Sequence, residues 1–157
     1  MSSLVPTTGT SPAPRWLRDL VSGQTRYAEL LGWSVRVEVQ RRRLALTAGE
    51  MVDAITMPVG LGRTVLSELQ IAMLFPPVIG EPSHRWWTFL ARPANKARLD
   101  TPAELRAAQV RVTPRNAQVI LPIDPEAEGW IERPRHDCLP PWPSIVATAR
   151  RLLSRKP

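Results

Sequence analysis

The residues able to do chemistry are few. One acid, Asp53, sits inside the apolar run MVDAITM at residues 51–57. Taken alone, such an aspartate caps a turn or meets a nearby arginine. His136, Asp137 and Cys138 are consecutive in the Pro-rich stretch RPRHDCLPP. A cysteine nucleophile needs a base within hydrogen-bond reach and a third group to orient that base. Three adjacent residues of a Pro-rich loop are a poor frame for that triad, and equally poor as a three-ligand metal site. His84, in PSHRWW, stands at a strand start and reads as a surface histidine. Cys138 is the single cysteine, which excludes an internal disulfide and a cysteine-built zinc site. Neither G-x-x-x-x-G-K-[ST] nor G-x-G-x-x-G occurs; Gly60-Leu61-Gly62 is too short for either and reads as a place where a helix packs close to a sheet.

The basic residues are the other chemical resource. Lys and Arg total 21 against 14 acids, a net charge of +7, and the only lysines are Lys96 and Lys156. Guanidinium groups fork onto phosphate oxygens, so the excess points to nucleic acid. A GC-rich coding sequence gives the same bias with no such role. Arg41, Arg42 and Arg43 form a turn that is either a solvated loop or a phosphate-contacting one. The six tryptophans are core or interface material, with Trp86 and Trp87 placed so that one ring could stack on a base.

These side chains must be positioned by one domain. The chain has 157 residues, 43% apolar and 22% charged, enough for a single core spanning residues 14–157. Residues 1–13 read as a disordered tail, with no basic start and apolar stretch of a secretory leader. No apolar run approaches the roughly 18 residues of a membrane span. A cytoplasmic protein without cofactor or bound metal is expected, and the oligomeric state is not readable.

Periodicity sets the elements. Residues 14–31 read as a helix, with Gly23 a point where it can divide and Gly32 as its left-handed cap. Trp33, Val35, Val37 and Val39 alternate with polar residues as a half-buried strand, and strands follow at 44–48 and 51–57. Pro58 suits the first turn of a helix whose apolar face is Leu61, Val65, Leu66 and Leu69. Residues 76–79 read as an edge strand because of their two prolines. Residues 85–91, RWWTFLA, read as a central strand with Trp87 and Phe89 on one face and Trp86 and Thr88 on the other. A polar loop at 95–99 leads to a short helix capped by Asp100 or Thr101. Strands are expected at 110–112 and 118–121 around the turn at 113–116, then at 130–132, and a helix over 141–155 closes the chain. Short strands without regular βαβ alternation predict an α+β fold: a mixed, largely antiparallel sheet with helices packed on it.

Several stretches fall in a familiar order. They are Tyr27-Ala28 to Gly32-Trp33-Ser34-Val35; Asp53-Ala54-Ile55-Thr56-Met57-Pro58 with Gly62 following; and Arg85-Trp86-Trp87-Thr88-Phe89-Leu90. Next come Val110-Arg111-Val112 through Val119-Ile120-Leu121-Pro122, Gly129-Trp130-Ile131, and Leu139-Pro140-Pro141-Trp142-Pro143. This series resembles the N-terminal domain of bifunctional DNA primase/polymerases, the prim-pol branch of the archaeo-eukaryotic primase superfamily. The matching motifs there are YA…GWxV, DxxDxP…G, HxxF, VDVRGDGGYVVxPP, GxYxW and LPPLP. The likeness runs from Tyr27 to the end and is greatest to small stand-alone bacterial members.

The resemblance implies a site that holds two divalent ions on converging carboxylates, with a histidine that contacts the incoming nucleotide. Here Asp53 falls on the first acid, Thr56 on the second, Trp86 on the histidine and Arg111 on the acid of the hairpin. Two-metal catalysis needs several carboxylates, so a degenerate site is expected. The hairpin glycines are also replaced, by Pro114-Arg115-Asn116-Ala117. Three functions compete. The first is a non-catalytic binding module that contacts DNA, or a protein, through Arg41, Arg42, Arg43, Arg63, Arg85, Arg111 and Arg115. The second is an active nucleotidyltransferase with rearranged ligands. The third is an interaction protein with no nucleic-acid role.

Overall fold

In the computed structural model the stretch RWWTFLA supplies the middle strand of a five-stranded sheet. The structure describes residues 12–93, 101–136 and 139–155. Most of the expected tail, the polar loop at 95–99, the Asp100 cap, Asp137 and Cys138 lie outside the described residues. The elements are α1 (Arg15–Leu31), β1 (Arg36–Glu38), β2 (Arg43–Thr47), β3 (Asp53–Pro58), α2 (Val59–Ile71) and β4 (Val78–Gly80). They continue with β5 (Trp86–Ala91), α3 (Ala103–Ala107), β6 (Arg111–Val112), β7 (Gln118–Leu121), β8 (Trp130–Glu132) and α4 (Trp142–Ser154). Pro58, expected in the first turn of the helix, ends β3 and immediately precedes α2 as its N-cap. No helix of the described residues is long and apolar enough to cross a membrane.

The fold is α+β, as expected, but its strands form two sheets and every strand pair is antiparallel. The order β6-β3-β5-β4-β8 makes one sheet, and β1-β2-β7 makes the other. Two expectations change with it. β6 and β7 do not pair as a hairpin, because they belong to different sheets. The turn between them carries Asn116 at φ 73. Asn116 N–H donates to the Ala48 carbonyl and Ala48 N–H donates to the Ala117 carbonyl. That places two residues opposite one, a bulge that fastens the chain to the end of β2 instead of returning it to β6. The second change is β4, which lies inside its sheet, between β5 and β8. Its prolines precede the strand, and the Pro77 carbonyl still accepts from Leu90 N–H.

Alternation along the long sheet separates two cores. Ile55, Met57, Phe89 and Ala91 face one, with Val65, Leu66 and Leu69 of α2, Leu105 of α3, and Ile145 and Ala149 of α4. Ala54, Leu90 and Ile79 face the other, with Leu44, Leu46, Val119 and Leu121 of the short sheet, Leu20 and Tyr27 of α1, Trp33 and Trp130. Gly62 lets α2 approach the sheet: a Cβ there would lie 3.0 Å from the Trp87 ring. Helix α1 runs unbroken through Gly23, which is present because the Ile123 carbonyl crosses the helix at that point.

An aromatic cluster ties α1 to the strands. The Tyr27 ring stacks on Trp33 at 5.8 Å and meets Trp130 at a tilt. The Tyr27 hydroxyl donates to the Pro122 carbonyl at 2.7 Å and accepts from Trp130 Nε1 at 3.1 Å. Burial pushes the Tyr27 phenol above its ordinary value, partly opposed by the Trp130 hydrogen bond. The folded state therefore favours the neutral phenol. The stability this gives is complete below about pH 10, the unfolded value, and is lost as pH rises beyond it.

Two stability outcomes follow. In Gly23→Ala the new methyl would sit 1.8 Å from the Ile123 carbonyl oxygen, whereas nothing lies within 4 Å of a Cβ at Gly60. Urea unfolding should show Gly23→Ala destabilised by about 3 kcal/mol, and Gly60→Ala neutral or stabilised by up to about 1 kcal/mol. Equal values for the two would be inconsistent with the close approach. Tyr27→Phe should cost about 1–2 kcal/mol at pH 7 and should flatten the loss of stability above about pH 10. An unchanged alkaline limb would show that another group controls it.

Candidate functional site

The register of the long sheet decides which of the expected site residues meet. Thr56 of β3 lies opposite Thr88 of β5 on one side and Arg111 of β6 on the other. Pro58 lies opposite Trp86. Directly opposed residues point to the same face, so Thr56, Thr88, Trp86 and Arg111 share one surface. The Thr56 and Thr88 hydroxyls are 2.9 Å apart, and either can donate. The Arg111 guanidinium lies over the Trp86 ring, 4.9 Å from its centroid. Arg111 is exposed and the other three are half-buried.

Asp53 is not part of this surface. It stands three positions before Thr56, an odd separation, so strand alternation sends the two to opposite faces. Asp53 has the parity of Ile55 and Met57, pairs across to Ala91, and is 1% exposed. The acid and the threonine that the prim-pol resemblance implies as a ligand pair are thus separated by the sheet.

A cavity of about 380 Å³ opens over the shared face. Its floor includes Thr56, Thr88 and Ile79; β7 and Pro122 form a wall; Glu81, Pro82 and Gly129 close one side. Gln118 contributes a buried Oε1 with no hydrogen-bond partner among the described residues. Glu81, whose carboxylate accepts from the Ser83 hydroxyl at 2.7 Å, is the single acid of this lining. A threonine hydroxyl is at best a neutral ligand, and Arg111 adds positive charge beside it. The donor set does not fit a pair of divalent ions, which needs converging carboxylates. No group of three His, Cys, Asp or Glu among the described residues is arranged to hold a metal ion. His84 is exposed in the turn before β5, at φ 60, with its N–H donating to the Glu81 carbonyl.

The arginines fall into separate places. Arg41, Arg42 and Arg43 sit at the β1–β2 turn, at the end of β2 remote from β3. There Arg42 stacks on Trp16, 4.4 Å from the ring centroid, and Arg43 pairs with Glu38. The Arg43 hydrogen bond holds the Glu38 carboxyl below the usual carboxylate range, with smaller help from Arg41 and Arg36. Arg63, Arg85 and Arg111 lie at the end of the long sheet where β3 passes into α2, and the Arg85 carbonyl accepts from Val59 N–H of that helix. Arg115 lies in the β6–β7 turn over Gly49, which is at φ 94, and its Cγ occupies space that a Cβ on Gly49 would need. No carboxylate of the described residues pairs with Arg63, Arg85, Arg111 or Arg115.

No protein-family model, no curated protein and no solved structure matches the chain.

Thr88 and Gln118 were not among the expected site residues. Thr88 carried a usable signal, since it shares the parity of Trp86. Gln118 carried none, because its place depends on β7 leaving for the second sheet. The pairing at the β1–β2 turn is testable alone. In Arg43→Ala the Glu38 carboxyl should return toward its ordinary range in a carboxyl-carbon NMR titration. An unmoved titration would assign the depression to Arg41 and Arg36 instead.

Proposed function

We propose that this chain is a non-catalytic binding module with a prim-pol-like fold that contacts DNA. The contact is made at the end of the long sheet that carries Trp86, Arg111, Arg85 and Arg63. The observation that carries the reading is the Arg111–Trp86 stack beside the Thr56–Thr88 hydroxyl pair. A stacked guanidinium keeps its edge N–H groups free for a phosphate while its face is held by the ring. The outer face of the indole remains a platform for a base, and threonine hydroxyls add neutral donors for phosphate oxygens.

Two further points support it. Thr56, Trp86 and Arg111 come from three separate stretches, and all three meet on one face. None of Thr56, Thr88, Trp86 and Arg111 on that face is an acid, which favours phosphate binding over metal binding. A cytoplasmic place of action accords with a nucleic-acid partner. Arg41, Arg42 and Arg43 take a secondary part at most, since they lie at the β1–β2 turn, apart from Trp86 and Arg111, and Glu38 already pairs with Arg43.

The test is fluorescence anisotropy with a labelled 20-nucleotide single strand and the matching duplex, from 50 to 200 mM salt. Binding should weaken with a log–log slope of about −2 to −3, as expected for three phosphate contacts. Arg111→Ala should reduce that slope by about 1 and Trp86→Ala should cost about 1–3 kcal/mol on the single strand. Arg43→Ala should change affinity less than about twofold. Undetectable binding at 50 mM salt would overturn the proposal. So would template-dependent nucleotide incorporation with manganese that Asp53→Ala abolishes.

A further inference from the structure

The core on the helix side of the long sheet is not filled to its edge. A cavity of about 720 Å³ opens between α4, α3 and the β6 edge of that sheet. Ile55, Leu105, Val110 and Ile145 form its buried floor, and Val112 and Val146 its half-buried walls. Protein interiors hold few voids larger than a water molecule, whereas this one lies in the roughly 300–1,000 Å³ range of ligand sites. Its origin is a mismatch of lengths. α3 has 5 residues, about 8 Å, and α4 has 13, about 20 Å. The short helix cannot cover the inward face of the long one from end to end.

The lining has a direction. On α4 it runs through Trp142, Ile145, Val146, Ala149 and Arg150, one helix face over about 12 Å. Arg92 stands at the Trp142 end, where its N–H donates to the Pro140 carbonyl and its backbone bridges to Pro141. Arg150 stands at the other end. These two arginines are the charged residues of the lining, and Thr101 is its one further polar side chain. No acid lines the cavity among the described residues. Arg150 Nε donates to Glu104 Oε1 at 2.8 Å, so that charge is already matched. Arg92 is exposed, and no carboxylate of the described residues pairs with it.

We propose that this cavity binds an aliphatic monocarboxylate, its chain lying along α4 and its carboxylate on Arg92. The apolar lining takes the chain out of water, and the free guanidinium forks onto the head group. One unmatched positive charge selects a monoanion. A groove about 12 Å long takes a chain of about ten carbons, given bonds of about 1.5 Å. The site lies on the opposite face of the sheet from the proposed DNA contact. Ile55 pairs with Val112 on the helix side, whereas Thr56 pairs with Arg111 on the other.

The probes are octanoate, decanoate, tetradecanoate, decylamine and 1-decanol, titrated calorimetrically against the whole chain. Decanoate should bind saturably with a Kd below about 1 mM. Octanoate should bind about tenfold more weakly, at about fourfold per lost CH₂, and tetradecanoate within about twofold of decanoate because its extra carbons pass the end of the groove. Decylamine should bind about tenfold more weakly than decanoate. Arg92→Ala should cost decanoate about tenfold and leave 1-decanol within about twofold. Val146→Phe should weaken both about tenfold by filling the groove, with the circular dichroism of the chain retained. Methyl NMR shifts on adding decanoate should centre on Leu105, Val112 and Ile145. No saturable decanoate binding, equal binding of decylamine, or shifts centred on other residues would each overturn the proposal on the wild-type chain alone. An affinity still rising by the same factor per CH₂ to tetradecanoate assigns the binding to general apolar surface and overturns it too. Oligonucleotide binding has no bearing on these outcomes, so this proposal and the DNA reading fail separately.

Discussion

The pairing of β3 with β5 is the interaction on which the other elements depend. Six consecutive residue pairs, from Asp53 opposite Ala91 to Pro58 opposite Trp86, hold the two strands in one register. Because a slip of one residue would exchange the two faces, this register fixes which side chains enter each core. On one side Ile55, Met57, Phe89 and Ala91 meet the helices along the length of the strands. On the other, Ala54 and Leu90 are covered by α1 and the short sheet, and cover stops before Thr56 and Thr88. The polar strip is left open by the extent of the short sheet. Two threonines there satisfy one another across the strands, so little is lost by leaving them half-buried.

Much of the positive charge is managed locally. Arg26 bonds both oxygens of Asp124, Arg43 meets Glu38, Arg150 meets Glu104 and Arg155 meets Glu68. Arg42, Arg111 and Arg135 lie on the faces of Trp16, Trp86 and Phe75. Lysine would not serve equally in these places. An ammonium is strongly hydrated and cannot present a flat face to a ring while its donors remain directed at the ring's edge. The carboxylate pairs reduce the charge available to a partner, whereas the ring-stacked arginines keep their charge and their edge N–H groups. Arg63, Arg85 and Arg115 stand outside these pairings, and so do Arg18, Arg106 and Arg151 on other elements.

The elements with strong periodicity were legible. Residues 14–31, 59–71 and 142–154 repeat their apolar residues at helical spacing, and burial follows that pattern at Leu20, Val65, Leu69, Ile145 and Ala149. The aromatic stretch over 86–91 was legible as a central strand for the same reason. Partner choice was not, because the alternation in a two- or four-residue strand is identical whichever sheet receives it. Hence β6 and β7 read as a hairpin, and the Asn116 bulge that separates them has no pattern of its own. The prolines before β4 suggested an edge, yet the strand begins one residue after Pro77 and its ladder needs no proline donor. For Asp53 and Thr56 the information was present: an odd spacing on a strand places them on opposite faces, whatever the family pattern implies.

The free strand edges of the two sheets differ in what lies beside them. β6 has two residues and β8 has three, with an irregular register against β4. β1 has three residues and carries Arg36 and Glu38, a charged edge of the sort that discourages pairing. β7 is protected by neither charge nor a bulge along residues 118–121, and Ile120 is 39% exposed. It is bounded instead by the Asn116 bulge before it and Pro122 after it, which limit the pairing length to about four residues. Such a length is too short to template an extended aggregate. Of the edges present among the described residues, β7 alone lines a cavity of this size against the face of another sheet. Strand edge and cavity meet there through two features of the fold: the bulge that sends β7 to the short sheet and the threonine strip left uncovered.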